Sequence, residues 1–381
     1  MHRQSLGQAN MQEHSHAPQR RRELDILRGI AVLLILGRHL LFIPDALPVF
    51  VKGFFLAWRE IGWIGVDLFF VLSGFLVSGL LFSEHQRVGK IRIARFLVRR
   101  GFKIYPAFYF FLSVSLLTSL FIDLPSGSTI QEFTGEALFI QNYYGAVWNH
   151  TWSLAVEEHF YLILAGLISV LIRIRPTAQN PFRFLPTIIG VTACFLFTLR
   201  VMISFRYAIG DWNVVFPYTH LRIDSLFFGV WLAYLYHYQQ DVLSILLRSK
   251  PILITLACST TILPLLFPLD KSRFMYSSGF TLLYLGCGAI LLLFLNSQFK
   301  RKEILLDYLE PLAKIGKNSY SIYLWHMMVY HLSVKLCFPE SNLMAFSLQA
   351  ISYLLGAIVV GSLSAYLVEF PVLRMRERWI P

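Results

Sequence analysis

The chain is short of charge. Only 15% of its 381 residues are Asp, Glu, Lys or Arg, against roughly 25% for an average soluble domain. A soluble enzyme of this length needs a more polar surface, so a water-soluble fold is excluded. Cysteine is scarce as well. Cys194, Cys258, Cys287 and Cys337 stand alone in apolar stretches. They form no CxxC pair, so neither a zinc site nor a disulfide framework is indicated. The familiar catalytic signatures are missing. There is no Walker loop, dinucleotide fingerprint, HExxH zinc site, GxSxG elbow or H-x4-D acyltransferase box.

What the chain has is apolar length. Hydrophobic residues make up 56% of it, which excludes disordered, collagen-like and disulfide-scaffold classes. A membrane helix takes roughly 20 apolar residues. Ten spans are read, at 26–43, 62–83, 104–124, 153–172, 185–205, 221–238, 252–269, 278–296, 319–337 and 344–368. A shorter piece, 136–147, reads as interfacial or re-entrant. Residues 1–22 are polar and read as a disordered cytoplasmic tail. Residues 23–375 form the transmembrane domain, and 376–381 a second cytoplasmic tail. No internal repeat stands out.

The net charge of +12 is read as cytoplasmic loops rather than nucleic-acid binding. With the N-terminus inside, 24 of the 34 Lys and Arg residues fall on inner segments and six on outer ones. The remaining four, Arg28, Arg38, Arg200 and Arg222, lie within spans. That bias places both termini in the cytoplasm. The fold class is therefore all-α and polytopic, with about ten transmembrane helices.

An ionisable side chain in hydrocarbon costs roughly 2.5 kcal/mol or more, so such residues are informative. Arg28 and His39 are eleven residues apart in the first span. They share a helix face and differ in depth by roughly 16 Å. The plainer readings are a snorkelling anchor and a structural histidine. Asp67 lies in the second span, and Ser73 and Gly74 after it suit close helix packing. Glu157 and Glu158 open the fourth span, Arg222 and Asp224 the sixth, and His326 lies within the ninth. An internal ion pair is the plainer reading of Arg222 and Asp224. His39, Asp67, Glu157, Arg222 and Asp224 lie at similar depth, which suggests one shared cavity. Arg92, Arg95, Arg99 and Lys103 recur at helical spacing in the 84–103 loop. That loop reads as a surface helix that meets either anionic lipid or donor phosphates.

These segments together resemble the acyltransferase family 3 integral membrane proteins. Arg28-Gly29 through His39 is similar to the family's R-x10-H signature. GVDLFFVLSGFLVS, RFLVRRGFKIYPAFY, TWSLAVEEHFYL, RIDSLFFGVWLA, GKNSYSIYLWH and VEFPVLR resemble its later motifs in order. Lys103 stands where an arginine is common. The resemblance covers about 23–375. It implies a bacterial cytoplasmic-membrane enzyme that moves an acyl group, most simply acetyl, from cytoplasmic acyl-CoA to an extracytoplasmic saccharide hydroxyl. It casts His39 as the essential histidine and matches Glu157 to the first glutamate of its motif; on chemical grounds Asp67 and Glu157 are the alternative catalytic carboxylates, either of which could orient the second nitrogen of His39. Arg28, Arg95, Arg99 and Arg100 are cast as acyl-CoA contacts. Trp152, Arg222, Asp224 and His326 are the candidate substrate contacts read from the residues themselves. No metal or permanently bound cofactor is expected, because a thioester is already activated. The expected partners are acyl-CoA, the saccharide and membrane lipids. The family often appends a periplasmic SGNH domain, and its role would fall here to a separate periplasmic acyl-handling protein. A transporter or flippase without chemistry is the rival reading.

Overall fold

In hydrocarbon, backbone N–H and C=O groups must be satisfied within the protein, and a helix does this within one segment. In the computed structural model, every regular element among the described residues is helical. The described residues are 22–40, 43–45, 47–124, 129–176, 178–207, 216–269, 271–295, 306–336 and 343–380. The expected N-terminal tail, residues 1–21, lies outside them.

The helices that position the site are α1 (Arg22–Arg38), α2 (Val49–Ile61), α3 (Ile64–Val88), α4 (Ile93–Ser119), α5 (Ile130–Ala137) and α6 (Gln141–Tyr144). A 3-10 turn, Asn149–Thr151, leads into α7 (Trp152–Ile174), followed by α8 (Leu185–Arg206), α9 (Thr219–Tyr238), α10 (Gln240–Arg248) and α11 (Lys250–Leu266). A π-helical turn, Met275–Gly279, opens α12 (Phe280–Leu295). Then come α13 (Glu310–Lys317), α14 (Ser319–Leu336) and α15 (Leu343–Ser364). A second π-helical turn, Ala365–Glu369, joins α15 to α16 (Phe370–Trp379).

Six helical stretches are long and apolar enough to cross a membrane: Val49–Val88, Ile93–Ser119, Asn149–Ile174, Leu185–Arg206, Met275–Leu295 and Leu343–Trp379. A seventh exists if α10 and α11, which meet at 76°, form one broken span. The expected spans at 26–43, 221–238 and 319–337 are helical too, as α1, α9 and α14. They fall outside the six. α1 has 17 residues and includes Glu23, Asp25, Arg28 and Arg38, while α9 carries Arg222 and Asp224. α14 is diluted by Ser, Tyr and His.

Three sequence expectations change. The basic segment is not a separate surface helix. After Gly89 closes α3 in the left-handed region (φ 70°), α4 runs unbroken from Ile93 to Ser119 with Pro106 inside it. Arg95, Arg99, Arg100 and Lys103 therefore ride on the first turns of a long apolar helix. The segment expected at 136–147 starts within α5, which begins at Ile130 behind a capping box of Thr129 and Glu132. The expected C-terminal tail is the end of α16 as far as Trp379.

Close backbone approach sets the helix packing. α3 and α9 touch where Gly74 faces Leu226 and Gly229 faces Val71. A Cβ on Gly74 would lie 1.9 Å from the Leu226 carbonyl oxygen, and one on Gly229 2.3 Å from that of Val71. α1 and α13 meet likewise: a Cβ on Gly316 would lie 1.7 Å from the Asp25 carbonyl oxygen. Only glycine allows such contact, the small-residue packing familiar in membranes.

Gly74→Val should force α3 from α9 and destabilise the protein by about 2 kcal/mol or more, the upper part of the usual overpacking range. Gly79→Val, where only the flexible His237 side chain lies near, is the control. Thermal melts of the two detergent-solubilised variants, followed by fluorescence, check this. Equal melting temperatures would contradict the packing argument.

Candidate active site

The site begins at a cavity of about 110 Å³ between α1, α3, α4, α7, α13 and α14. Its cationic lining is Arg28, Arg100, Lys103 and Lys317. Arg28 also lies 3.8 Å from Asp25, one turn earlier on α1. Arg100 stands 5.8 Å from the ring centre of Tyr161. Lys103 pairs with Glu369, which the π-helical turn before α16 presents and which also accepts from the Ser321 hydroxyl at 2.8 Å. The acidic member of the lining is Glu157, which accepts from the hydroxyls of Ser73 and Tyr161. Ser73 thus bonds a carboxylate, whereas its neighbour Gly74 does the close packing expected of both. Arg95 and Arg99 are not in the lining. Arg99 donates instead to the carbonyl of Ile380, 3.4 Å away.

Tyr323 and Ser153 close the cavity and lead to three histidines. Tyr323 hydroxyl donates to the His150 carbonyl (2.6 Å) and lies 2.6 Å from Ser153 Oγ. The His326 ring centre is 5.0 Å from that of His39 and 4.7 Å from that of His150. His39 follows directly on the end of α1. The carbonyl of Leu36, near that end, accepts from the His39 amide (3.2 Å) and the Tyr353 hydroxyl (3.2 Å). The indole of Trp58 donates to the Leu33 carbonyl (3.1 Å), so α2 and α15 both brace the histidine's turn. His150 was not singled out from sequence. It sits in a short turn between helices, where apolar periodicity offers no signal.

Glu136 clamps that turn. Its carboxylate accepts from the Trp148 amide at 2.8 Å and the Thr151 hydroxyl at 3.2 Å. Burial pushes its pKa up to about 7.

The other expected site residues gather elsewhere. Asp67 pairs with Arg222 at 2.9 Å, and Asp224 with Arg200 at 2.8 Å, all four buried. Arg200 also donates to the Leu221 carbonyl and the Thr281 hydroxyl, each at 2.8 Å. The Arg222 guanidinium lies 3.8 Å from the Phe280 ring centre, 5.3 Å from Phe216 and 5.8 Å from Trp152. Trp152 is thus part of an aromatic box around Arg222. Among the described residues, the five expected to share one cavity, His39, Asp67, Glu157, Arg222 and Asp224, are divided between separate clusters. Only Glu157 of the five lines the cavity described above, because opposite charges on α3, α8 and α9 neutralise one another and need no water. Among the described residues no group of three or more His, Cys, Asp or Glu side chains is arranged to hold a metal ion.

A family model described as an acyltransferase domain matches residues 21–368. The chain belongs to acyltransferase family 3. It is 29% identical to the O-acetyltransferase OatA of Staphylococcus aureus over 332 residues, 82% of this chain and 51% of that protein. It is 26% identical to the peptidoglycan O-acetyltransferase OatA of Listeria monocytogenes over 373 residues, 92% of this chain and 55% of that protein. The chain thus spans about half the length of the curated relatives it matches. No solved structure matches it.

Removing one member of a buried ion pair strands its partner and typically costs about 3–5 kcal/mol. Asp67→Ala should therefore destabilise the family 3 domain by about that amount. Combining Asp67→Ala with Arg222→Met should recover part of the loss, since the stranded charge is gone. Melting temperatures of the single and double variants check this. A double variant that loses the full sum would refute the coupling.

Proposed function

We propose that this family 3 chain crosses a bacterial cytoplasmic membrane ten times, with both termini inside. In this reading it transfers an acetyl group from cytoplasmic acetyl-CoA to a hydroxyl of an extracytoplasmic glycan of the peptidoglycan class. The observation that carries the reading is a cationic cavity whose lining residues Ser153 and Tyr323 adjoin the histidine cluster. Arg28, Arg100, Lys103 and Lys317 line the cavity, and His39 follows at the far end of the helix that carries Arg28. Four cations at one cavity suit the phosphates of coenzyme A. An arm threaded between helices from there would bring its thioester toward His39, roughly 16 Å along α1 from Arg28. The names of the S. aureus and L. monocytogenes relatives support acetyl as the group and peptidoglycan as the acceptor class.

The chemistry follows from the residues. His39 takes the proton of the acceptor hydroxyl as the oxygen attacks the thioester carbonyl, a task matched to histidine's pKa. The carbon–sulfur bond breaks and coenzyme A leaves as its thiol. Glu157, held by Ser73 and Tyr161, orients the donor between the cationic lining and the histidines. Asp67, Arg222, Asp224 and Trp152 hold α3 and α9 in register behind the site. No metal or bound cofactor enters this scheme. The surrounding lipid is its remaining partner.

Arg100→Gln with Lys317→Gln should raise the KM for acetyl-CoA about tenfold, more at low salt than at high, with kcat little changed. His39→Gln should lower kcat about a hundredfold or more with KM nearly intact, the scale of lost general-base catalysis. Initial-rate kinetics of folded variants decide both. Normal turnover in His39→Gln would remove the histidine from the mechanism.

The topology is tested separately by single cysteines. A cysteine at position 95 should resist an impermeant thiol reagent in intact cells, and one at position 145 should react, as the basic-residue distribution requires. Strong labelling at 95 would invert the orientation.

A further inference from the structure

The scheme above leaves His150 and the ring of His326 without a task, yet their hydrogen bonds fix their chemistry. His326 Nδ1 faces the Tyr323 carbonyl, and His150 Nε2 faces the Leu324 carbonyl at 3.1 Å. A carbonyl oxygen only accepts, so each of those nitrogens carries the hydrogen. The neutral rings then hold their lone pairs on His326 Nε2 and His150 Nδ1. Neither atom has a hydrogen-bond partner among the described residues. The two side chains are 0% and 4% exposed, so water does not supply one freely. Two adjacent buried acceptors without a donor are costly in a resting core. They make sense where a proton arrives during turnover. The neighbour able to deliver it is His39, in ring contact with His326.

We propose that His326 and His150 form a proton store behind His39; this rests on the acyl-transfer reading. As the acceptor oxygen bonds to the acyl carbon, His39 takes the hydroxyl proton on one ring nitrogen and passes the proton of the other to His326 Nε2. His326 becomes an imidazolium whose Nδ1–H stays on the Tyr323 carbonyl. Its new Nε2–H donates to His150 Nδ1. When the carbon–sulfur bond breaks, the proton returns through His39 to the coenzyme A thiolate. The rings end each cycle as they began, and no external acid or base is consumed. Both residues act through His39, so they are positioning residues. Glu136 and Tyr323 belong to the same device, because they hold the turn that aims His150.

The test uses the full chain in lipid nanodiscs, with acetyl-CoA as donor, chitotetraose as the acceptor probe, and coenzyme A release as readout. His150→Gln keeps a donor for the Leu324 carbonyl but removes the Nδ1 lone pair. His150→Asn keeps an acceptor near that position. His150→Gln should lower kcat about tenfold or more with the KM for acetyl-CoA unchanged, below the full loss of a general base. The proton inventory in mixed water and deuterium oxide should change from bowed in the wild type to linear in His150→Gln. His150→Asn should regain part of kcat. Should His150→Gln fail to fold, His326→Asn serves, since it keeps a donor for the Tyr323 carbonyl and removes Nε2. A folded variant with kcat within about twofold of wild type, or with the wild-type inventory, overturns the store. Wild-type protein that binds acetyl-CoA but never consumes it overturns the acyl-transfer reading, and the store with it.

Discussion

Charge neutralisation inside the bundle is the interaction on which the rest depends. Asp67, Arg222, Arg200 and Asp224 bring two carboxylates and two guanidiniums into a region with no free exposure to water. An isolated charge there would be prohibitive. Paired with one another, and with Arg200 also bonded to the Leu221 carbonyl and the Thr281 hydroxyl, the four become a lock between α3, α8 and α9. Once α3 and α9 are locked, Gly74 and Gly229 can touch the facing backbone. Ser73, one residue before Gly74, then points to Glu157 on α7. The position of the cavity's one acidic wall is therefore a consequence of pairing one layer deeper.

The same logic separates two kinds of buried polar group. In the ion cluster each carboxylate meets a guanidinium, so the atoms left without a hydrogen bond, such as Arg200 Nε and Arg222 Nη1, belong to groups whose charge is already balanced. In the histidine cluster two ring nitrogens lack partners. An incomplete network is what a site for moving protons requires, because the missing donor is supplied only during reaction. The cationic lining of the cavity is intermediate: Lys103 is held by Glu369, Arg28 lies near Asp25 and Lys317 near Glu310, and all three share one open space with Arg100.

Much of this was legible in the residues. The apolar runs announced helices of membrane length, and the order of motifs announced the family. Arg28 and His39 were recognisable from their eleven-residue spacing on one helix face. Asp67 was a different case. Its charge marked it as important, but period and depth could not say whether it faced His39 or Arg222. Its partner lies 155 positions away, a pairing that only packing of α3 on α9 decides. Arg95 and Arg100 looked equivalent in a basic run, and the rotation of α4 admitted only Arg100 to the cavity.

By itself the sequence determined which segments must be helical and which residues could not tolerate lipid. Those properties follow from local composition and the cost of burying unsatisfied polar groups. Tertiary structure alone decided which charges cancel and which remain available. It also drew His150, carried on a three-residue turn with no periodic signal, against a histidine 176 positions later. Contacts of that kind depend on how helices distant in sequence approach one another.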